Sequence, residues 1–134
     1  LRHPKLKLVM AESSLGWIPF MLERLEFEQK TYKTSGLPKE PASEIFRRNF
    51  YCTFQEEKLG VQLIDRIGED NVMWAADYPH GDGTWPDTQA VFGEVFGGLP
   101  DDEIAMISHE NAAALFRHPL PPPGNPHAAG LRAG

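Results

Sequence analysis

An alternation of short apolar runs with longer helical segments is the feature that most constrains how this chain folds. The runs Leu6–Ala11, Asn49–Phe54 and Val72–Ala76 have the length and the apolar, aromatic or β-branched composition of buried strands. Segments with helical spacing lie between and after them. Because parallel strands need a crossover connection, this order predicts βαβ units with a parallel sheet, and hence an α/β fold.

The helices are predicted from apolar residues at helical spacing and from capping signals at their ends. Phe20 and Leu25 belong to the apolar face of the first helix, and Leu59 to that of the third, which Gly68 ends. Ser108 is predicted to N-cap the last helix. The predicted helices are Trp17–Tyr32, Ser43–Arg48, Lys58–Ile67, Asp87–Phe96, Asp101–Ile107 and His109–Phe116.

Composition restricts the class of protein. The chain is 41% hydrophobic and 24% charged, as in folded globular domains, and no window offers the ~18 apolar residues of a membrane helix. A net charge of -6 argues against nucleic acids and anionic membranes as partners. The single cysteine, Cys52, excludes an internal disulfide and is expected to pack at a strand position. These features predict a cytoplasmic protein.

The end of the sequence differs from the rest. The stretch RHPLPPPGNPHAAGLRAG is rich in Pro, Gly and Ala and lacks a periodic apolar face. Such a segment buries too little surface to offset the entropy lost on ordering. We therefore predict one folded unit over residues 1–117 and a disordered tail over residues 118–134.

Polar residues follow each predicted strand. Glu12 comes after the first, Thr53 and Gln55 close the second, and Asp77 and His80 follow the third. The carboxyl ends of parallel strands meet at one edge of a sheet, where sites in α/β folds are built. An acidic residue after a strand also commonly caps the next turn, so the pattern alone leaves both readings open.

Several stretches resemble a known family. HPKLKLVMAESSLGWIPFMLERLE, FYCTFQEEKLGVQLIDRIGEDNVMWAADYPH and ISHENAAALF are similar to the C-terminal part of the amidohydrolase-related family. That group of metal-dependent barrel enzymes includes aminocarboxymuconate semialdehyde decarboxylase and related hydrolases and carboxy-lyases. The resemblance runs from about Arg2 to Arg117, and its most specific piece is VMWAADYPH preceded by RIGEDN. It implies the last three β/α units of a TIM-type (β/α)8 barrel, as a fragment of a longer enzyme.

The resemblance also implies roles for individual residues. The aspartate that ends the family's last barrel strand binds the catalytic divalent metal, usually zinc, and handles the proton of the metal-bound water; this role falls on Asp77. His80 and Trp85 are then candidates for substrate binding. The alternatives are a partly exposed loop histidine for His80 and packing against the loop for Trp85.

Glu12 departs from the pattern of the decarboxylating relatives. They have a histidine at the end of the corresponding strand, in an Ala-His-Gly-Gly-like stretch, where this chain has Ala11-Glu12-Ser13-Ser14. Glu12 is a candidate acid or base, or it caps the helix that follows. The expected reaction is therefore hydrolysis of a small carbonyl, ester or carboxylate substrate, with decarboxylation by a carboxy-lyase of the same family as the alternative.

The family's other metal ligands are absent from this sequence. It contains five histidines but neither the His-x-His pair of the first barrel strand nor the histidine of a middle strand, and His109 lies in a predicted helix. A catalytic zinc normally takes three protein ligands. The expected partner is therefore the remainder of the barrel or another protein chain. The alternative is a non-catalytic remnant that binds another chain.

Overall fold

The computed structural model describes residues 3–32 and 38–120. The elements are, in chain order, β1 (Leu8–Met10), α1 (Trp17–Tyr32), α2 (Ala42–Asn49), β2 (Phe50–Phe54), α3 (Lys58–Val61), α4 (Ile64–Ile67), a 3-10 turn (Glu69–Asn71), β3 (Val72–Trp74), α5 (Thr88–Phe96), α6 (Asp101–Ala105), a π-helical turn (Met106–Glu110) and α7 (Asn111–Phe116). Residues 121–134 of the predicted tail and residues 33–37 of a predicted loop lie outside the described residues.

In the described part of the chain, three strands form one parallel sheet in the order β1-β2-β3. Met10 pairs with Cys52, which in turn pairs with Val72, so the carboxyl ends of the strands lie at one edge. Helices cross from each strand to the next, as parallel pairing requires. The predicted α/β class and parallel sheet are confirmed.

The outer strands are shorter than predicted. β1 covers only Leu8–Met10, and β3 ends at Trp74 instead of Ala76. Beyond these limits the backbone bonds to other partners: the Leu6 carbonyl accepts from the side chain of Asn49, and the Ala76 carbonyl accepts from the N–H of Thr84 in the following loop. The N–H of Ala75 still bonds to the carbonyl of Phe54 in β2, so the pairing with β2 extends one residue past β3.

The predicted helix Lys58–Ile67 is instead two short helices, α3 and α4. The N–H of Leu63 bonds to the carbonyl of Gly60, three residues back, so the regular helical ladder is interrupted between them. Leu59, predicted to face the core, is 59% exposed. Gly68 ends α4 with a φ of 118°, a left-handed conformation that favours glycine, as predicted.

The last two predicted helices are one continuous helical segment from Asp101 to Phe116. Ser108 does not begin a helix, because it lies inside the π-helical turn, where its hydroxyl donates to the carbonyl of Ala105. The turn buries Ile107 completely. The segment ends at Arg117, which has a left-handed φ of 54°.

The core lies between the sheet and the helices that cover it. Phe92 and Phe96 of α5 pack edge-on against Trp74, and Phe96 also contacts Phe54. Cys52 is fully buried, which raises the pKa of its thiol to about 11 and fits the predicted packing role. The largest fully buried side chains are Phe54, Phe96, Leu15, Ile18, Ile64, Ile67, Ile107, Val72 and Cys52.

Among the described residues, three buried asparagines, Asn49, Asn71 and Asn111, hold the amino ends of the strands. Each side-chain amide donates to two backbone carbonyls at or just before the start of a strand, at 2.6–2.9 Å. The carbonyl pairs are, in the same order, those of Pro4 and Leu6, Arg47 and Phe50, and Glu69 and Val72. Because both donors are bonded, burial of these amides carries no unpaired-donor penalty.

No helix in the described residues is long and apolar enough to cross a membrane.

Candidate active site

Three side chains meet at the carboxyl end of the sheet. Glu12 follows β1, and Asp77 and His80 follow β3. One ligand atom from each lies within 4.8 Å of the others. The Nδ1 atom of His80 is 2.9 Å from an Asp77 carboxylate oxygen and 3.9 Å from a Glu12 carboxylate oxygen. The structure thus brings Glu12 beside two residues that lie 65 or more positions later in the sequence.

The local backbone sets this geometry. Glu12 and Asp77 both adopt left-handed φ values, 52° and 54°, two and three residues after their strands end. The N–H of His80 bonds to the carbonyl of Asp77 at 2.9 Å, so the chain turns back and places the imidazole beside the carboxylate. The Asp77 side chain is 12% exposed, whereas those of Glu12 and His80 are half exposed or more. Asp77 therefore forms the inner part of the cluster.

The interactions within the cluster raise the pKa values of its two outer groups. The pKa of Glu12 is raised, first by a hydrogen bond with Asp77 and then by the negative charge of that carboxylate. The pKa of His80 is also raised, first by its hydrogen bond with Asp77 and then by the charges of Asp77 and Glu12. The carboxyl group of Glu12 and the imidazole of His80 therefore keep a proton to a higher pH than the free groups do.

The loop after β3 closes tightly on the strand end. The N–H of the buried Thr84 bonds to the carbonyl of Ala76 at 3.0 Å, and Gly83 passes close to the same backbone. A Cβ atom on Gly83 would lie 2.8 Å from the carbonyl oxygen of Asp77 and 2.9 Å from that of Ala76. Glycine at this position thus allows the loop to reach the backbone that holds Asp77.

Trp85 lies further along this loop and outside the three-residue cluster. Its ring is 67% exposed and contacts the equally exposed ring of Tyr78 edge-on, with 5.9 Å between the ring centres. The peptide bonds that precede Pro79 and Pro86 are both cis. A role for Trp85 in substrate binding stays a prediction.

The capping alternative for Glu12 is wrong, because another residue caps the helix. The N–H groups of Leu15 and Gly16, just before α1, donate to the two carboxylate oxygens of Glu57 at 2.5 and 2.9 Å. Sequence reasoning missed Glu57, which lies in the short polar stretch after β2, close to Thr53 at the end of that strand. The hydroxyl of Thr53 accepts from the backbone N–H of Glu12 at 2.7 Å.

The cluster fits a divalent metal ion better than the sequence suggested. Two carboxylates and an imidazole form a donor set that suits zinc or manganese, and they supply three ligands where the sequence indicated one. Among the described residues this is the single group of its kind, and His109 is not part of it. The imidazole of His109 instead contacts the hydroxyl of Ser108 at 2.9 Å.

Comparison with known proteins decides the family. The amidohydrolase family profile matches residues 1–118, nearly the whole described chain. The chain belongs to the amidohydrolase family. Members of this family are metal-dependent decarboxylases and hydrolases. Among curated proteins no significant match exists.

Solved structures agree with this assignment. The 5-carboxyvanillate decarboxylase LigW from Sphingomonas paucimobilis is 35% identical with a TM-score of 0.71, and the match covers 87% of this chain. An amidohydrolase from Mycobacterium avium subsp. paratuberculosis K-10 is 28% identical over 85% of this chain, with a TM-score of 0.65. A dihydroxybenzoic acid decarboxylase from Polaromonas sp. JS666, solved with manganese and the inhibitor 2-nitroresorcinol, shares the fold at 20% identity over 87% of this chain, with a TM-score of 0.64.

The matches cover only part of each relative. This chain spans 35%, 29% and 35% of the three structures, in the order given. Its mixed α/β structure is consistent with part of a TIM-barrel amidohydrolase fold.

Proposed function

We propose that this chain forms one side of the active site of a metal-dependent decarboxylase that acts on a small aromatic carboxylate. The observation that carries the proposal is the meeting of Glu12, Asp77 and His80 at the carboxyl end of the sheet. Its support is the 35% identity with a 5-carboxyvanillate decarboxylase. Residues 1–117 would be the last three β/α units of the barrel, followed by a tail over residues 118–134, and the partner of this unit would be the remainder of the barrel.

Asp77, with Glu12 and His80 beside it, would hold the divalent metal. When bound, a divalent cation supplies Lewis acidity that polarises a substrate oxygen. Zinc and manganese both suit this donor set, and manganese is bound in the dihydroxybenzoic acid decarboxylase. We favour zinc, with manganese as the second candidate.

The residues of this chain would supply the proton that decarboxylation requires. The bond between the ring carbon and the carboxylate breaks, carbon dioxide leaves, and the electron pair left on the carbon takes up a proton. The donor would be the member of the pair Glu12 and His80 that does not bind the metal, because a metal ligand must be deprotonated; without a metal, both groups have raised pKa values. Asp77 orients His80 by accepting its hydrogen bond. Trp85, exposed on the neighbouring loop, would contact the substrate ring.

Hydrolysis is the second candidate, and Glu12 is the observation that favours it. Decarboxylating relatives place a histidine at the end of this strand, whereas Glu12, once ionised, would act as a base that takes a proton from an attacking water. The substrate would then be a small ester or carbonyl compound. A non-catalytic role, in which the chain binds another protein, predicts neither metal nor turnover.

Metal binding tests the site directly. In the complete protein, we expect Asp77→Asn to lose zinc or manganese on purification and to bind added metal at least tenfold more weakly, roughly the scale of losses at metal sites. The metal content of the purified protein, measured by mass spectrometry, checks this. Asp82→Asn is the matched control, because Asp82 is an exposed acid of the same loop. Unchanged metal content in Asp77→Asn would refute the assignment of Asp77, whereas absence of metal from the wild-type protein would leave the non-catalytic role.

Turnover in D2O separates the two reactions. Decarboxylation of aromatic carboxylates releases carbon dioxide and leaves deuterium on the ring carbon that lost it. Hydrolysis of an ester or carbonyl substrate leaves the ring carbons unlabelled. Carbon dioxide release with ring deuteration supports the decarboxylase, and its absence, together with ester turnover, supports the hydrolase.

A further inference from the structure

We infer that Glu57 and Thr53 are positioning residues that hold Glu12 beside Asp77 and His80 in the metal-binding cluster. Neither residue reaches the cluster itself; both act on the backbone of residues 12–16, which we call the Glu12 loop. The inference rests on the proposed function, in which Glu12 lies at the metal. It assigns a role to the polar end of β2, which the proposed chemistry does not use.

Few hydrogen bonds within the Glu12 loop stabilise its backbone conformation. It connects β1 to α1 and contains left-handed φ values at Glu12 and Ser14, 52° and 56°. Residues other than glycine rarely adopt this conformation, and each instance costs about 1 kcal/mol or more unless the surroundings enforce it. The conformation that directs Glu12 to Asp77 and His80 therefore depends on contacts from outside the loop.

Those contacts come from β2 and the residues that follow it. The Thr53 hydroxyl accepts from the N–H of Glu12 at 2.7 Å, and the Thr53 carbonyl accepts from the N–H of Ser13 at 3.2 Å. The Glu57 carboxylate accepts from the N–H groups of Leu15 and Gly16. Four backbone N–H groups of the Glu12 loop are thus held by two residues that are about 40 positions later in the chain.

The Glu57 carboxylate is enclosed by glycines. A Cβ atom on Gly16 would lie 2.7 Å from one carboxylate oxygen, and a Cβ atom on Gly60 would lie 2.9 Å from the other. Gly60 is itself buried. The position of the carboxylate is therefore well defined. Hydrogen bonds from two backbone N–H groups to a charged acceptor are also stronger than those to a neutral one. This fixes the entry to α1 and, through it, the direction of Glu12.

Mn2+ affinity of the complete protein tests the role of Glu57. Glu57→Gln keeps one acceptor oxygen but turns an amide donor toward the second N–H. Residues that orient metal ligands typically change affinity by 10–100-fold, so we expect Mn2+ binding, measured by calorimetry, to weaken about tenfold. Glu56→Gln is the matched control: it removes the same charge at the neighbouring exposed position, and its affinity should equal that of the wild type.

A double-mutant cycle shows whether Glu57 acts through Glu12. If it does, Glu57→Gln causes no further loss of Mn2+ affinity once Glu12→Gln is present. A general loss of structure would instead weaken binding by the same factor in both backgrounds. Equal factors would therefore overturn the inference.

Thr53 provides a second test that does not depend on Glu57. Thr53→Val has the same shape but leaves the N–H of Glu12 without its acceptor, whereas Thr53→Ser keeps the hydroxyl. We expect weaker Mn2+ binding in Thr53→Val and recovery in Thr53→Ser, and equal affinities would contradict the inference. This pair decides the question if Glu57→Gln does not fold.

The outcomes distinguish this inference from the proposed function. If Asp77→Asn and Glu12→Gln bind Mn2+ as the wild type does, the metal site is wrong and both proposals are overturned. If those variants weaken binding but Glu57→Gln and Thr53→Val do not, the metal site stands and the positioning role alone is wrong.

Discussion

At the scale of single residues, Gly83 allows the loop after β3 to contact the backbone that holds Asp77. A Cβ atom at this position would lie 2.8 Å from the carbonyl oxygen of Asp77, closer than such atoms approach, and the obstacle is backbone that cannot rotate away. Forcing extra volume into a packed site usually costs about 1–3 kcal/mol. We expect Gly83→Ala to lower the free energy of unfolding by about that amount and to weaken metal binding. Denaturant unfolding and a Mn2+ titration measure the two effects.

Gly81 is the matched control for that substitution. It lies two positions earlier in the same loop, has no positive φ, and a Cβ atom there would meet nothing within 4 Å. Gly81→Ala should therefore leave both stability and metal binding close to the wild type. If Gly83→Ala is equally harmless, the loop does not need the close approach at Asp77.

At the scale of the secondary-structure elements, asparagines tie each strand to a later part of the chain. Asn71, 2% exposed, comes just before β3 but donates to the carbonyls of Arg47 and Phe50 at the start of β2. Asn71→Asp has nearly the same shape and replaces the donor with an acceptor that faces two carbonyls. Leaving buried groups unpaired costs about 1–3 kcal/mol, and more for a charge. We expect Asn71→Asp to lower the free energy of unfolding by at least about 2 kcal/mol.

Denaturant unfolding at neutral pH checks the effect of Asn71→Asp. Gln62→Glu makes the same chemical change at an exposed position and should shift stability by no more than about 0.5 kcal/mol. A similar small shift in Asn71→Asp would mean that the β2 carbonyls find other partners when the amide is lost.

The elements also show what the sequence can and cannot predict. The parallel sheet follows from short apolar runs that alternate with helices, a signal contained within each segment. The contacts of Glu57 and of the asparagines join residues 20 or more positions apart, so no local pattern reveals them. The break between α3 and α4 and the continuous segment from α6 to α7 also depend on tertiary contacts. For the site, a resemblance pointed to Asp77, and the structure added that Glu12 and His80 lie beside it.

At the scale of the whole molecule, one side of the described structure is unusually apolar. Within residues 3–32 and 38–120, β1 pairs only with β2, and Leu8 and Val9 are 43% and 40% exposed. A groove of about 470 Å³ lies beside this edge, between α1 and α2, and its lining includes Trp17, Met21 and Leu25. Phe20 and Leu25, predicted to face the core, are exposed. Apolar surface of this kind normally contacts other protein, and the relatives contain further chain beyond the matched part.

Leu25→Ala in the complete protein tests whether this groove is covered. Leu25 is 45% exposed here. If the remainder of a barrel packs into the groove, Leu25 is buried in the complete protein, and its truncation should cost about 2–4 kcal/mol, as for leucines in cores. If the groove faces solvent, the cost should be below about 0.5 kcal/mol, as for other surface positions. Leu59→Ala deletes the same atoms from a side chain that is 59% exposed and outside the groove, so it sets the surface value for comparison. A cost for Leu25→Ala no larger than for Leu59→Ala would mean that the apolar face of α1 is open, and that the active site is completed without a barrel segment against this helix.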